Sequence, residues 1–392
     1  MSENPFAMLT REPVPDSRLD TAAVVAAGRA RVRRRRGVTA VAAAVVVAVI
    51  VGGAALAQQR PVAKPDPAGP APVPSPSASL PPCEAVPLTA LGSTVVVEID
   101  GSGRYIVGVP DGVDGTVVLS GPDGTHRLTA VPRLLVNGVN GSGTIIGNVD
   151  SDVDADGYVV EGAKTTPLGR PQGALNVVAN AINDAGDVVG DARMPGGKFR
   201  AVVWRHGKWN QPQLLPTPSG GQAGGQSSAH GIDADGRIVG SLGNGAQPYL
   251  WQADGTGKVL PVPQGKPGGV AVRVVGDWAD GPVDYLAGTA VNTSGRRLPR
   301  AELPWARWNL RTGEVQEVQT GVPNAGATGL LPDGTVVLNV VDGSVLWAET
   351  GTRKLPVPTG YHRTQVTGVA RDGTLVGTAG EGAGTAYRWA CR

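Results

Sequence analysis

A glycine-containing turn between two short apolar runs recurs along the chain. The turn glycines, of which the fifth has the weakest surroundings, lie 40, 43, 50, 45, 53 and 39 residues apart. They are Gly103, Gly143, Gly186, Gly236, Gly281, Gly334 and Gly373. An apolar run, a turn rich in Asn, Asp and Gly, and a second apolar run predict a β-hairpin, because such a turn needs a residue that tolerates positive φ.

The spacing of these hairpins predicts the fold. A unit of about 40 to 50 residues with several short strands is typical of the blades of a β-propeller. A complete unit, such as Ala327 to Pro358, offers four strands, which we name a to d in chain order. The sequence therefore predicts an all-β, seven-bladed β-propeller.

A tryptophan follows each of the last five turns, 13 to 27 residues after the glycine. These residues are Trp204, Trp251, Trp308, Trp347 and Trp389. Because they occupy one strand of the repeat, we expect them to pack between neighbouring blades and cover apolar area that one blade cannot bury alone. Trp209, Trp278 and Trp305 lie outside this register, and we predict that they contact a ligand.

Three repeats carry a family resemblance. AINDAGDVVG is followed by AVVW, GIDADGRIVG by PYLW, and GVARDGTLVG by AYRW. These segments resemble the HAF family of probable extracellular repeats, and the resemblance runs from about Val95 to Trp389, although the first two repeats lack the Trp. The resemblance implies a β-propeller that is secreted or displayed at the cell surface. It implies no catalytic activity, because the family has no assigned reaction.

An uncharged segment near the N-terminus predicts a membrane anchor. Gly37 to Ala57 is 21 residues long, and about 20 apolar residues span the hydrocarbon core. Arginines in the basic segment 1–36 precede it, which predicts a cytoplasmic tail and an outward C-terminus. The alternative is a cleaved signal peptide, because Ala55-Leu56-Ala57 matches a cleavage pattern, but the apolar segment exceeds the usual length of about 7 to 15 residues. Both interpretations place the residues that follow this segment outside the cell.

The segment 58–82 is predicted to be an extended stalk. Arg60 to Pro82 holds nine prolines among Ala, Ser and Val. Such a composition builds no core, and at about 3.1 Å per residue it reaches roughly 70 Å. The propeller then occupies 83–392.

The two cysteines of the chain, Cys83 and Cys391, stand at the two ends of this domain. An even number in an extracellular protein predicts a disulfide. The last repeat ends at its strand c, so we predict that residues 84–91 supply the missing strand d and close the ring. The disulfide would join residues 308 positions apart, for which chain entropy gives an upper limit of about 5 to 6 kcal/mol.

The charge of the outer domain argues against nucleic acid as a partner. It holds 25 of the 35 basic and 28 of the 33 acidic residues, hence a net charge of −3. A nucleic-acid-binding domain would present a basic face. A protein or polymer of the cell envelope, together with the membrane that the anchor spans, is the predicted partner.

Irregular loops fall on the face that carries the b-to-c and d-to-a connections, where binding sites are common. One of them holds Asp152, Asp154 and Asp156 at alternate positions before Gly157, as in a calcium loop. The closing Glu of such a loop is absent, so a solvated acidic turn is the alternative. Calcium is the only cofactor that the sequence suggests.

Three further candidates lie in the loop 292–304. Arg296, Arg297 and Arg300 predict a place for an anionic ligand there, although loop arginines are commonly just solvated. No GxSxG, HExxH or CxxC motif is present. We therefore predict a binding module without catalysis; the alternatives are a glycan hydrolase or lyase that uses acids near the channel, and a sensor that signals through the tail.

Overall fold

The structure is a computed structural model that describes residues 82–391 except 93, 111–114, 150–155, 219–224, 244–246, 265, 267, 283–284, 287–288, 291–304, 319–325 and 381–383. The chain divides into two units, Met1–Val73 and Pro74–Arg392, and all described residues lie in the second. The predicted tail 1–36, span 37–57 and all but the last residue of the stalk 58–82 therefore lie outside the described residues. Within the described part, no helix is long and apolar enough to cross a membrane.

The described chain is built from short strands, with two 3₁₀ turns at Thr89–Leu91 and Pro195–Gly197. Strands β1 to β9 are Cys83–Pro87, Thr94–Ile99, Ile106–Pro110, Thr116–Gly121, Gly124–Thr129, Leu134–Val139, Ile145–Val149, Asp156–Glu161 and Lys164–Pro167. Strands β10 to β17 are Asn176–Ile182, Val188–Met194, Lys198–Trp204, Gln213–Leu214, Ser227–Ile232, Ile238–Leu242, Gln247–Trp251 and Gly257–Val259. Strands β18 to β23 are Arg273–Val275, Trp278–Pro282, Tyr285–Leu286, Thr289–Ala290, Trp305–Asn309 and Val315–Val318. Strands β24 to β30 are Gly326–Leu330, Val336–Val340, Gly343–Ala348, Gly351–Lys354, Thr364–Val369, Thr374–Ala379 and Thr385–Cys391.

Consecutive strands pair antiparallel into four-stranded units in the order a to d, and the all-β prediction is confirmed. The units are β2–β5, β6–β9, β10–β13, β14–β17, β18 with β19, β22 and β23, β24–β27, and β28–β30 with β1. A single parallel bridge between Val177 and Asp156 joins the second and third of these into one sheet. Strands β20 and β21 form a separate pair.

The unit that contains β28 to β30 takes its strand d from the start of the domain. Strand β1 pairs antiparallel with β30, with Cys83 directly opposite Cys391, and the predicted disulfide joins them at a Cα–Cα distance of 4.1 Å. The strand is shorter than the predicted 84–91, because it ends at Pro87. Residues 89–91 form a 3₁₀ turn instead, which buries Leu91 in the core between this unit and the next.

Four of the repeat tryptophans are at most 1% exposed, and they pack between neighbouring units as predicted. Each indole N–H donates to a carbonyl that lies two residues beyond strand d of the preceding unit. The bonds are Trp204 to Gly169 at 2.8 Å, Trp251 to Pro216 at 2.8 Å, Trp308 to Pro261 at 2.6 Å and Trp389 to Pro356 at 3.0 Å. The side chain therefore fills the contact between units and also fixes where the preceding unit ends.

A bulge in strand a is shared by most units. Around Asn180 the pairing of β10 with β11 skips one residue, between Ala179 and Ala181. The bulge brings the Val178 carbonyl oxygen to 1.9 Å from where a Cβ on Gly190 would stand. Strand b of this unit therefore has no room for a Cβ at Gly190, which accounts for the Val-Gly after this turn. The sixth unit differs, because Leu338 occupies the same register opposite Ala327.

The fifth repeat corrects one sequence prediction. Gly281 is not a turn residue but the strand-b glycine, because a Cβ there would lie 1.7 Å from the Val270 carbonyl oxygen. The turn itself is Gly276-Asp277, between Val275 and Trp278, which pair directly. Gly276 adopts φ 56°, which a two-residue hairpin turn requires of its first residue.

We predict that Gly190→Ala lowers the free energy of unfolding by about 3 kcal/mol or more, because its methyl group overlaps the Val178 carbonyl and the strand must move. Gly326→Ala is the matched control, since no atom of the described residues lies within 4 Å of a Cβ there, and it should change stability by about 0.5 kcal/mol at most. Equilibrium denaturation measures both. Equal losses in the two variants would contradict the close-approach argument.

Candidate functional site

The inner strands of the units surround one channel with a volume of about 650 Å³. Strands β2, β6, β10, β14, β18, β24 and β28 all contribute to its wall. Its polar lining includes Glu98, Asn137, Asn180, His230, Arg273 and Thr328. Because these residues lie on paired strands rather than on loops, the channel has a fixed arrangement of polar groups.

The strand-a bulge accounts for four of the polar residues that line this wall. An extra residue in one strand of a pair re-aims the side chain at that point. Asn137, Asn180, His230 and Thr328 all occupy the bulge register, which lies six residues before the turn glycine. Each of them lines the channel.

The amides of Asn137 and Asn180 have a defined orientation. Asn137 Nδ2 donates to the Ala179 carbonyl at 2.7 Å, and Asn180 Nδ2 donates to the Ala229 carbonyl at 2.7 Å. An inverted amide would set two acceptors against each other, so the nitrogen must face the carbonyl. Among the described residues, neither Oδ1 atom has a hydrogen-bond donor.

Strand b supplies a second link between units. Asn148 accepts the Ala179 N–H at 2.8 Å and donates to the Ala179 carbonyl at 3.0 Å. Asn339 makes the same pair of bonds with Val366, at 3.0 and 2.7 Å. In each case an amide side chain pairs with the main chain of the following unit's strand a as another strand would.

At the equivalent position the third unit has a carboxylate. Asp191 is 8% exposed, and its Oδ1 accepts the Ala229 N–H at 3.0 Å while Oδ2 faces Asn180 Nδ2 at 3.2 Å. Burial raises the pKa of Asp191 to about 7, against the hydrogen bonds from Ala229, Asn180 and Ser228, which lower it. The ionised form is therefore the costly one in the folded protein.

The arginines of the channel each have a carboxylate partner. Arg273 binds Asp280 through two bonds, Nε to Oδ1 at 2.9 Å and Nη2 to Oδ2 at 2.7 Å. Burial raises the pKa of Asp280, while Arg273 lowers it. Arg371 Nη1 lies 3.1 Å from Asp184 Oδ2. Both pairs are neutral as a whole.

Glu98 differs from these residues, because no salt bridge involves it in the described part of the chain. Its Oε1 accepts the N–H of Ile99 at 3.0 Å. Gly368 on β28 leaves room for the carboxylate, since a Cβ there would lie 2.6 Å from Oε1. Burial raises the pKa of Glu98 to about 7, opposed by the Ile99 bond and the charge of Arg273.

One end of the channel is crossed by contacts between a-to-b turns. Arg371 joins Asp184, which lies 187 residues away in sequence, and the Arg371 N–H donates to the Gly101 carbonyl at 2.9 Å. Asp184 Oδ1 accepts the Gly141 N–H at 3.1 Å. These bonds link turns of four units across this end of the channel.

The structure does not bring Trp278 and Trp305 together. Trp278 packs against Gly334 of the next unit, and the Arg307 guanidinium lies 4.6 Å from the centre of its ring. Trp305 lies at the other end of the same strand pair, where it lines the channel. Its Nε1 is buried with no hydrogen-bond partner among the described residues.

The other predicted site residues are only partly described. Asp152, Asp154, Arg296, Arg297 and Arg300 lie outside the described residues, so the calcium loop and the arginine loop stay predictions. Asp156 begins β8, and its Oδ2 lies 2.6 Å from Arg170 Nη2. Trp209 is buried against His206, with 5.6 Å between the ring centres. The described residues contain no group of three or more His, Cys, Asp or Glu placed to hold a metal.

No protein-family model and no curated protein matches the chain. A solved structure of a catalytically inactive variant of virginiamycin B lyase from Staphylococcus aureus with quinupristin is similar to it, with a TM-score of 0.50 at 12% identity over 79% of this chain and 99% of the other. The selenomethionine-substituted form of that lyase gives 0.50 at 10% identity over the same shares. YCF48 from Cyanidioschyzon merolae gives 0.47 at 11% identity over 79% of this chain and 99% of that one. At 10 to 12% identity the likeness to the two lyase structures is one of fold, and it confirms the β-propeller class.

We predict that Asp191→Asn stabilises the protein above pH 7, with an upper limit of about 4 kcal/mol. The pKa of Asp191 is raised on folding, so the folded state binds more protons than the unfolded state between about pH 4 and 7. The stability that Asp191 contributes therefore falls as pH rises through this window. Asparagine already occupies the equivalent position in two other units, as Asn148 and Asn339. Each of these residues makes both hydrogen bonds to the main chain of the following unit.

Urea denaturation at several pH values measures this effect, and the exposed Asp123→Asn is the control. The fall in stability between pH 4 and 7 should be shallower in Asp191→Asn than in the wild type and in Asp123→Asn. An unchanged slope would show that Asp191 is not the titrating group.

Proposed function

We propose that this chain is an envelope protein of the HAF type that binds a ligand in a seven-bladed β-propeller and does not transform it. In this proposal, residues 1–36 are cytoplasmic, Gly37–Ala57 spans the membrane, and 58–82 form a stalk that holds 83–392 outside the cell. The ligand is a protein or polymer of the envelope, a part of which enters the central channel. The seven inner strands around one channel and the pairing of β1 with β30 support a closed ring of seven blades.

The channel is the observation that carries the binding proposal. Ligand sites are concave, largely preformed and furnished with a few fixed polar groups, and the channel has each of these properties. Its volume of about 650 Å³ falls within the usual range of about 300 to 1,000 Å³. The disulfide supports an oxidising location outside the cytoplasm.

The state of the carboxylates favours binding over glycan hydrolysis. Hydrolysis of glycosides ordinarily uses two carboxyl groups that flank the scissile bond. Of the acids described at or beside the channel, Asp184 and Asp280 are paired with arginine and Asp191 is bonded to the main chain of the next unit. Glu98 alone has an oxygen that no described group engages. A lyase or a sensor stays an alternative, and the likeness to a lyase concerns the fold only.

We predict that the immobilised full-length protein in detergent retains a defined component of a solubilised cell envelope, and that Gly326→Trp abolishes this retention. Gly326 lines the channel, and no described atom lies within 4 Å of its Cβ position, so an indole there should obstruct the channel. Thr352→Trp, which adds the same bulk at an exposed position on β27, is the control and should retain the component. Mass spectrometry identifies what is bound.

If Gly326→Trp leaves the retention unchanged, the ligand binds at the outer loops and not in the channel. If the wild type converts a wall-derived substrate and Glu98→Gln does not, the protein is an enzyme and not a binding module.

We predict that the full-length protein stays in the membrane fraction after an alkaline wash, because Gly37–Ala57 spans the bilayer. Deletion of 37–57 should release it, whereas a deletion of equal length within 58–82 should not. A mature protein that begins at residue 58 by mass spectrometry would show a cleaved signal peptide instead of an anchor.

A further inference from the structure

The charges that line the channel are balanced except at one residue. Of the charged lining residues that are described, Arg273 pairs with the buried Asp280 and Arg371 pairs with Asp184. From the part of the chain that the structure describes, Glu98 receives a single hydrogen bond, from the N–H of Ile99 to Oε1. When Glu98 is ionised, the channel therefore carries one negative charge that these pairs do not neutralise.

Hydrogen-bond acceptors lie on the same side of the ring. Glu98 belongs to the first unit, Asn137 to the second and Asn180 to the third. The nitrogens of both amides are held by the carbonyls of Ala179 and Ala229, and neither amide oxygen has a donor among the described residues. Three consecutive units thus each contribute a residue with an acceptor oxygen to the lining of the channel.

We propose that the channel binds a ligand that carries a primary ammonium group, with the Glu98 carboxylate as its counter-ion and the Asn137 and Asn180 amide oxygens as further acceptors. This inference rests on the proposed function and names the chemistry of the ligand. An ammonium group has three N–H donors and no acceptor, which matches a wall of acceptors. The volume of the channel, about 650 Å³, admits an organic molecule that carries such a group.

Arg273 acts on Glu98 only through its charge, which lowers the pKa of Glu98. Its guanidinium is held by both oxygens of Asp280 and lies 5.2 Å from the centre of the Trp305 ring. Among the described residues, no cation forms a salt bridge with Glu98. A bound ammonium group would replace the water that Glu98 loses on burial and would give the carboxylate a hydrogen-bonded cation.

The test is isothermal titration calorimetry of the full-length protein in detergent at pH 8, with putrescine and butane-1,4-diol as probes. The two molecules have the same length and differ in the charge of their end groups. Charge-assisted hydrogen bonds are about twice as strong as neutral ones, so putrescine should bind at least about tenfold more tightly than the diol. Glu98→Gln should weaken putrescine binding at least about tenfold and leave the diol unchanged.

Glu84→Gln is the matched control, because Glu84 is exposed on β1, and it should bind putrescine like the wild type. Thermal unfolding of Glu98→Gln checks that the variant folds. Four results would overturn the inference: no putrescine binding, equal affinity for the diol, equal affinity in Glu98→Gln, or displacement of putrescine by millimolar calcium or potassium, which would indicate an inorganic cation site. If envelope capture depends on Gly326 while putrescine does not bind, the proposed function stands and only the ammonium assignment fails.

Discussion

The inner strand of each unit pairs along one side only, apart from the single bridge between Val177 and Asp156, and the main-chain groups on its other side need partners. An unpaired buried N–H or C=O is costly, so nearly all are satisfied in folded proteins. On β10 and β14 the partners are side chains of the preceding unit. Ala179 is bonded by Asn137 and Asn148, and Ala229 by Asn180 and Asp191. These side chains satisfy the main-chain groups at the strand edge and leave the channel open. A further strand in their place would fill the channel.

The same requirement produces the candidate site. An amide that must give its N–H to a carbonyl on the neighbouring strand keeps its oxygen for the channel. The polar channel is therefore in part a by-product of how adjacent units are held together, and a ligand can use groups that the fold had already ordered. Because these groups are fixed before binding, little conformational freedom is lost when a ligand enters.

The periodic part of this architecture could be predicted from the sequence, because turns, buried tryptophans and terminal cysteines follow local patterns. The fifth repeat was assigned the wrong turn glycine, since a two-residue turn at Gly276 lacks the Asn or Asp that precedes most of the others. The channel was harder to predict. A bulge changes which face a residue occupies, so simple alternation along β10 does not identify Asn180 as a lining residue.

The pairing of charged groups could not be predicted at all. Arg371 and Asp184 belong to units on different parts of the ring, and Glu98 is identified only because other acids have partners. Counting six residues back from the turn glycines would have found Asn137, Asn180, His230 and Thr328, along with Val97 and Thr367, which are not among the described lining residues. No comparable pattern marks Glu98 or Arg273, because each depends on contacts with strands that are distant in sequence.

The disulfide also decides how the propeller bears mechanical load. Tension applied to the residues that precede Cys83 enters the domain at that residue, where the disulfide passes it directly to Cys391 on β30. Strand β1 would otherwise be peeled from the edge of its sheet one hydrogen bond at a time. With the covalent bond at the point where force arrives, the edge strand and its neighbour share the tension, and the ring resists opening under a pull that hydrogen bonds alone would not withstand.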